Sequence, residues 1–201
     1  MYPIIKRLMA IILSLTAIII LSPIMLLIAL MIKLDSKGPV LFKQKRVGKD
    51  KKHFMIYKYR SMYADTPSDM PTHLLKDPNA MITKIGKFLR KTSLDELPQL
   101  FNILKGEMAI VGPRPALWNQ YDLIEERDKY KANDIRPGLT GWAQINGRDE
   151  LEIDEKAKLD GYYVDHLNFA MDIKCFIGTF ISVLKSDGVV EGGTGQKKKD
   201  E

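Results

Sequence analysis

Leu8 to Ile32 reads LMAIILSLTAIIILSPIMLLIALMI, 25 residues without a charge, and nothing else in the chain restricts its fold as strongly. As one helix the run reaches about 37 Å, enough to cross a hydrocarbon core of about 30 Å. Ser22-Pro23 falls past its middle. Proline has no amide donor and its ring crowds the carbonyl of Ile19, so the sequence predicts a kink or break there. Hydroxyls on Ser14, Thr16 and Ser22 are available to satisfy groups that a break would free.

Charge bears on orientation. Lys6 and Arg7 precede the run; Lys33, Lys37, Lys43, Lys45 and Arg46 follow it. Positive flanks favour the cytoplasmic side, so both ends ask for the same face. A helix bent at Ser22-Pro23 that enters and leaves by one face satisfies both, whereas a straight anchor leaves one flank outside. Residue chemistry alone keeps both geometries open. A cleaved signal peptide is disfavoured, because no small-x-small site follows Ile32.

Between Lys33 and Arg60, ten Lys/Arg face two Asp, a local +8 in a chain whose total is +6. A basic patch directly after an apolar run suits anionic lipid headgroups or phosphates. Headgroup contact explains it where it lies and no recognition motif accompanies it, so nucleic acid is not an expected partner. The lone cysteine, Cys175, excludes an intrachain disulfide and a cysteine-cluster metal site. His53, His73 and His166 lack metal-ligand spacing.

The remaining length fits one domain, with no internal repeat. Val40 to Val47 and His53 to Tyr59 flank Gly48-Lys49-Asp50 and read as a β-hairpin. Asp65 to Ala80, with three prolines and no clean period, reads as a surface loop. Ile82 to Leu89 reads as a short helix. Leu97, Leu100, Phe101 and Leu104 fall at i, i+3, i+4 and i+7, one face of a helix ending near Gly106. Ala116 to Ala132 has helical character. Phe169, Ile173, Phe176, Ile177, Phe180, Ile181 and Leu184 share one side of a last helix that Gly188 stops. Such a stripe ordinarily packs into a core; beside an anchor it also fits the bilayer surface. The tail GGTGQKKKDE has the composition of a disordered segment.

The chemistry concentrates in KTSLDELPQLFN, Lys91 to Asn102, where Asp95 and Glu96 stand side by side. Ser93-x-x-Glu96 matches a capping box, and acids suit the positive end of a helix dipole, so helix capping accounts for the pair without any function. The same geometry also permits catalysis. A carboxylate at a helix N-terminus stays ionised, as a nucleophile must, and the exposed amides attract phosphate oxygens. Successive helical residues point about 100° apart, so one acid can face phosphorus while the other holds Mg²⁺, a metal that commonly bridges protein carboxylates and phosphates. Two anionic reactants need cations nearby. Arg90, Arg114 in Gly-Pro-Arg-Pro, Arg136 before Pro137-Gly138 and Arg148 in Asn-Gly-Arg are the candidates, each able to fork onto a phosphate. Trp142, beside Gly141, suits core burial better than base stacking.

LSP within the apolar run, VGKDKKHFMIYKYRSM, ITKIGKFLRKTSLDELPQLFNILKGEMAIVGPRP and IRPGLTGWAQINGR occur in this order. Together they resemble the bacterial sugar transferases, the small monotopic phosphoglycosyl transferases, over roughly Tyr2 to Gly188. The resemblance implies an α+β, mainly helical fold: a re-entrant membrane helix broken at Ser22 and Pro23 over residues 1–36, then a catalytic domain at the cytoplasmic face over 37–188, and a tail over 189–201. It implies Mg²⁺ and transfer of a sugar-1-phosphate from a UDP-sugar to undecaprenyl phosphate at the bacterial inner membrane. Asp95 corresponds to the nucleophile, with Glu96 assisting through the metal. Arg90 and Arg114 would neutralise phosphate, Arg136 and Arg148 would contact phosphate or nucleotide, and Lys58 in YKYRSM would partner the acids. Membrane lipids are expected partners, and a homo-oligomer is left open. The contrasting reading is a non-enzymatic membrane adaptor of a polysaccharide assembly complex. It explains anchor and basic patch but gives the acid pair and the arginine-bearing turns no task.

Overall fold

The computed structural model describes residues 1–67, 77, 79–147 and 151–185. Its spine is one helix, α1, Tyr2–Asp35. Among the described residues it is the one helix long and apolar enough to cross a membrane. The expected break at Ser22-Pro23 does not interrupt it: α1 stays helical through Pro23. The reason is local. Ile19 O would normally accept the amide of residue 23, and the Ser22 hydroxyl donates to that carbonyl at 2.9 Å. The unmade backbone bond is thereby replaced, as the sequence allows.

A hairpin follows, β1 (Leu41–Val47) and β2 (His53–Tyr59), antiparallel from Leu41↔Tyr59 to Val47↔His53. It has the expected position, and its turn contains a short 3-10 segment, Lys49–Lys51. Helix α2 (Lys84–Lys91) begins where Thr83 accepts from the amide of Gly86. Helix α3 (Gln99–Lys105) ends at Gly106, whose φ of +91° is the left-handed cap that glycine adopts freely. Two three-residue strands, β3 (Ala109–Val111) and β4 (Gly138–Thr140), pair in parallel. Helices α4 (Tyr121–Asp128), α5 (Trp142–Ile145), α6 (Ile153–Asp165) and α7 (Phe169–Lys185) complete the α+β, mainly helical architecture. The Asp65–Ala80 loop lies largely outside the described residues, as do Arg148, Gly188 and the tail.

Two apolar clusters line α1 in succession. Ala10 packs with Ile56, Leu100, Ile103 and Met108, and farther along Met25, Ile28 and Ile32 pack with Tyr59 and Leu89. Polar groups hold both ends of α1 to the same body. Near the start, Lys6 pairs with Asp172 of α7 at 2.9 Å, and Arg7 donates to the carbonyls of Ile103 and Leu104 at the end of α3. Near the finish, the Tyr59 hydroxyl donates to Met25 O at 2.9 Å, and Arg60 donates to Ser36 O at 2.8 Å and also to Lys37 O.

The α7 stripe corrects the core-packing expectation. Phe169, Ile173, Phe176, Ile177, Phe180 and Ile181 are exposed, while Met171 and Cys175 on the other side are buried. Helix α3 is likewise rotated from the expected face: Ile103 is buried and Phe101 exposed. Burial, with Asp172 adding to it, pushes the Cys175 thiol up to about 12, so it remains protonated and unreactive at neutral pH.

Asn102, fully buried on α3, fastens the hairpin to this scaffold. Its side chain accepts from the amide of Tyr57 at 3.0 Å and donates to Met55 O at 2.8 Å and to Glu107 at 2.7 Å. Asn102→Leu strands the Tyr57 amide and the Met55 carbonyl in the interior, and is expected to cost about 2–4 kcal/mol. Thermal unfolding of the detergent-solubilised protein should show the lowered midpoint; an unchanged midpoint refutes the role assigned to Asn102.

Candidate active site

Asp95 and Glu96 do not open α3. They occupy a separate 3-10 turn, Leu94–Glu96, with Pro98 between it and the helix. Ser93 adopts φ +56°, and its side chain makes no capping bond. The capping-box explanation of the acid pair therefore fails: Glu96 reaches across to cations instead. Proline's fixed φ suits the position before α3, and its missing amide loses nothing there.

Three segments converge on this turn. From β2, Lys58 Nζ lies 2.7 Å from Glu96 Oε1 and 3.9 Å from Asp95 Oδ2. From the Gly112–Pro115 turn after β3, the Arg114 guanidinium reaches the same Glu96 oxygen at 3.3 Å. From α2, Arg90 acts on Asp95 through space. Both carboxylates are mostly withdrawn from water, each side chain 12 % exposed, while Arg114 retains 32 %. A lysine at 2.7 Å gives a charge-assisted hydrogen bond, stronger than a neutral one.

Burial raises the Asp95 carboxyl above its ordinary value; Lys58 opposes that rise, neighbouring Glu96 adds to it, and Arg90 and Arg114 oppose it. The lowering expected from a helix terminus is not the dominant effect. Desolvation is. The three cations act against that rise and favour the carboxylate form.

Sequence reasoning brings Asp95, Glu96, Lys58, Arg90 and Arg114 forward, and the structure gathers these five. Arg136 departs from its expected place. Its Nε donates to Gly106 O at 2.8 Å, at the far end of α3 from the acids, where a cation complements the helix dipole. Trp142 is part of the core around Val111 and stacks on Tyr162 with ring centroids 5.6 Å apart. Gln99, fully buried just after the acids, does not stand out in the sequence. Among the described residues its Nε2 has no hydrogen-bond acceptor, and one polar letter in DELPQL carries no signal of that.

Two carboxylates meet the minimum that Mg²⁺ takes from a protein when substrate phosphates and water complete its octahedron. Asp95 and Glu96 fit that role. Among the described residues no group of three or more His, Cys, Asp or Glu forms a cage that would bind a metal unaided.

The turn thus presents a buried carboxylate pair to lysine and arginine, in a chain that also carries one long apolar helix. The chain belongs to the bacterial sugar transferase family, whose sequence pattern matches residues 1–186. It is 42 % identical over 168 residues to the uncharacterized sugar transferase EpsL of Bacillus subtilis (strain 168), covering 84 % of this chain and 81 % of that one. It is 42 % identical over 193 residues to the exopolysaccharide production protein PSS of Rhizobium leguminosarum bv. phaseoli, covering 90 % and 96 %. With the UDP-glucose:undecaprenyl-phosphate glucose-1-phosphate transferase of Escherichia coli (strain K12) it shares 41 % identity over 189 residues, 90 % of this chain and 39 % of that protein. Relatives named for a particular sugar are longer: the chain spans only 45 % of the N-acetylgalactosamine-phosphate transferase of Aeromonas hydrophila.

The raised Asp95 value has a measurable sign. In the folded protein the ionised form is lost as pH falls through a midpoint above the ordinary aspartate value of about 3.9. Lys58→Met removes the largest opposing charge and is expected to move that midpoint further up. Carbon-13 titration of Asp95 follows both; a midpoint at or below the ordinary value, or a downward move in the variant, contradicts this balance of burial and charge.

Proposed function

We propose that this protein transfers a sugar-1-phosphate from a UDP-sugar to undecaprenyl phosphate, in two steps through a phosphosugar held on Asp95. The observation that carries the reading is Asp95 itself, a mostly buried carboxylate with Lys58, Arg90 and Arg114 arranged around it and its neighbour. An Asp95 oxygen attacks the phosphorus bonded to the sugar. The bond from that phosphorus to the bridging oxygen breaks, and UMP leaves with the electron pair. An oxygen of undecaprenyl phosphate then attacks the same phosphorus, the bond to Asp95 breaks, and the carboxylate is restored with the phosphosugar on the lipid.

Covalent catalysis suits two substrates this unlike, because each can use the same site in turn. Lys58 holds Glu96 in place and offsets the charge of the acid pair. Arg114, more open than Lys58, is placed to receive donor phosphate oxygens with its planar fork. Asp95 and Glu96 are the residues that would hold Mg²⁺, whose charge would offset that of the donor phosphates.

The same proposal sets the protein at the cytoplasmic face of a bacterial inner membrane, with α1 re-entrant rather than spanning, by a bend at Pro23 that leaves the helix continuous in its hydrogen bonding. Two observations support this. Lys6 and Arg7 at one end of α1, and the Ser36 and Lys37 carbonyls at the other, are held by one and the same body. A straight span would have to carry that body through the bilayer. The exposed sides of α1 and α7 are apolar, from Ile4 and Leu8 through Leu34, and from Phe169 to Ile181. Patches of that extent are uncommon on proteins surrounded by water. Cysteines introduced at Pro3 and Ser36 should both react with a thiol reagent applied from the cytoplasmic side only. Opposite-side labelling refutes re-entry.

The adaptor reading explains the apolar surface but leaves a buried acid pair without work. Membranes containing the protein, supplied with undecaprenyl phosphate and a panel of UDP-sugars, should release UMP from at least one donor. Asp95→Asn is expected to lower that release by several orders of magnitude and to abolish the added phosphosugar mass on residue 95. EDTA should suppress the unsubstituted enzyme. Undiminished turnover by Asp95→Asn overturns the nucleophile assignment.

A further inference from the structure

Arg127 and Asp160 form an ion pair that the two-step transfer does not use. They are 3 % and 1 % exposed, on α4 and α6, and Arg127 NH2 lies 2.6 Å from Asp160 Oδ2 while Nε donates to the same oxygen at 2.8 Å. The other oxygen, Oδ1, is buried and has no hydrogen-bond partner among the described residues. A pair with half of its carboxylate unsatisfied is a poor device for stability, since desolvating two charges offsets most of their attraction. Burial pushes the Asp160 carboxyl up and Arg127 opposes that rise. What the pair does accomplish is to aim one guanidinium nitrogen. Arg127 NH1 donates to the backbone carbonyl of Arg114 at 2.9 Å.

That bond belongs to a series. The turn carrying Arg114 has each successive carbonyl from residue 113 to 116 held by a donor from outside the turn, the four donors coming from β4, α4 and β1. Gly138 N donates to Pro113 O at 2.8 Å, Arg127 to Arg114 O, Arg46 NH1 to Pro115 O at 2.9 Å, and Val47 N to Ala116 O at 2.9 Å. Arg46 is itself aimed by an acceptor, donating through Nε and NH2 to Gln44 Oε1. Two guanidiniums, each oriented by its own acceptor, therefore grip adjacent carbonyls of the turn while the Arg114 side chain extends to Glu96. Pro113 and Pro115 cannot supply amide donors of their own, so the turn depends on outside donors for its shape.

We propose that Arg127, fixed by Asp160 and seconded by Arg46, is the positioning residue that sets Arg114 against the acid pair. The assignment rests on the transfer reaction proposed above for its kinetic consequence, but not for its structural one. Arg127 touches no reacting atom. It acts by fixing the backbone from which Arg114 reaches out, and errors of about an ångström in such placement cost up to about a hundredfold in rate.

The test uses the full chain in membranes or detergent. Arg127→Met combined with Asp160→Leu removes both charges together, leaving no unpaired one in the interior, so that the fold survives while the bond to Arg114 O is lost. Arg46→Met is the second, less buried probe. Each is expected to lower kcat for UMP release by about tenfold or more with a smaller change in donor KM. In an Arg114→Met background the same changes should cause little additional loss, because their effect passes through Arg114. Hydrogen exchange should rise at Gly112, Arg114 and Ala116 and stay unchanged in α3. Unaltered kcat, a full additive loss in the Arg114→Met background, or unchanged exchange at the turn overturns the inference. If the unsubstituted protein releases no UMP from any donor, the reaction proposal fails, and the exchange comparison by itself decides whether Arg127 holds the turn.

Discussion

Two neighbouring carboxylates, both largely withdrawn from water, cannot stay ionised without cations close at hand, and the architecture follows from that requirement. A buried acid loses its hydration, and an adjacent acid makes ionisation harder still. The answer is assembled from separated segments: Lys58 from the hairpin, Arg114 from the turn after β3, and Arg90 from α2. None is a sequence neighbour able to pair locally. Each must be delivered by packing, so the hairpin, the parallel strands and α4 with α6 share one purpose. They hold cations at a turn whose two acids are largely shut off from water.

Helix α1 supplies the surface on which that delivery takes place. Its first half receives α3 and Ile56; its second half receives Tyr59 and Leu89. Lys58 lies between Ile56 and Tyr59 on β2, so the strand that presents the lysine is fixed to α1 on both sides of it. Close approach does the rest at the other wall. A Cβ on Gly138 would sit 2.1 Å from the amide nitrogen of Gly112, so the chain can pass there only with glycine at 138. That contact fixes where the chain leaves β3 and begins the turn bearing Arg114.

How much of this was legible in the sequence depends on how local its cause is. The hairpin was legible, because alternation and a glycine turn mark it within twenty residues. Five of the charged candidates were legible, because their letters stand in motifs whose order is specific. Helix α6 was not. Its buried face is Ala157, Asp160, Gly161 and Tyr163, with little apolar periodicity to read, and its purpose appears only when Arg127 is found beside Asp160. The strands β3 and β4, three residues each, are too short for any alternation to register. Arg136 was misplaced because the segment that carries it could face either end of α3, a choice made by tertiary packing. The spacing of the α7 stripe was legible and its surroundings were not, since periodicity identifies a face but not what covers it.

The proline in α1 shows the same limit at the scale of one bond. Local rules say that residue 23 cannot donate, and they say so correctly. They do not say who takes its place. Ser22 does, over 2.9 Å, and the helix continues past the point where it was expected to divide. Continuity matters for the rest of the molecule. A backbone freed at Pro23 would let the two halves of α1 move independently, and with them the two apolar clusters that fix α3 and β2. The acid turn lies between those clusters, since Leu97 borders both. A single hydroxyl set in an apolar run thus helps determine the distance between Lys58 and the carboxylates it serves.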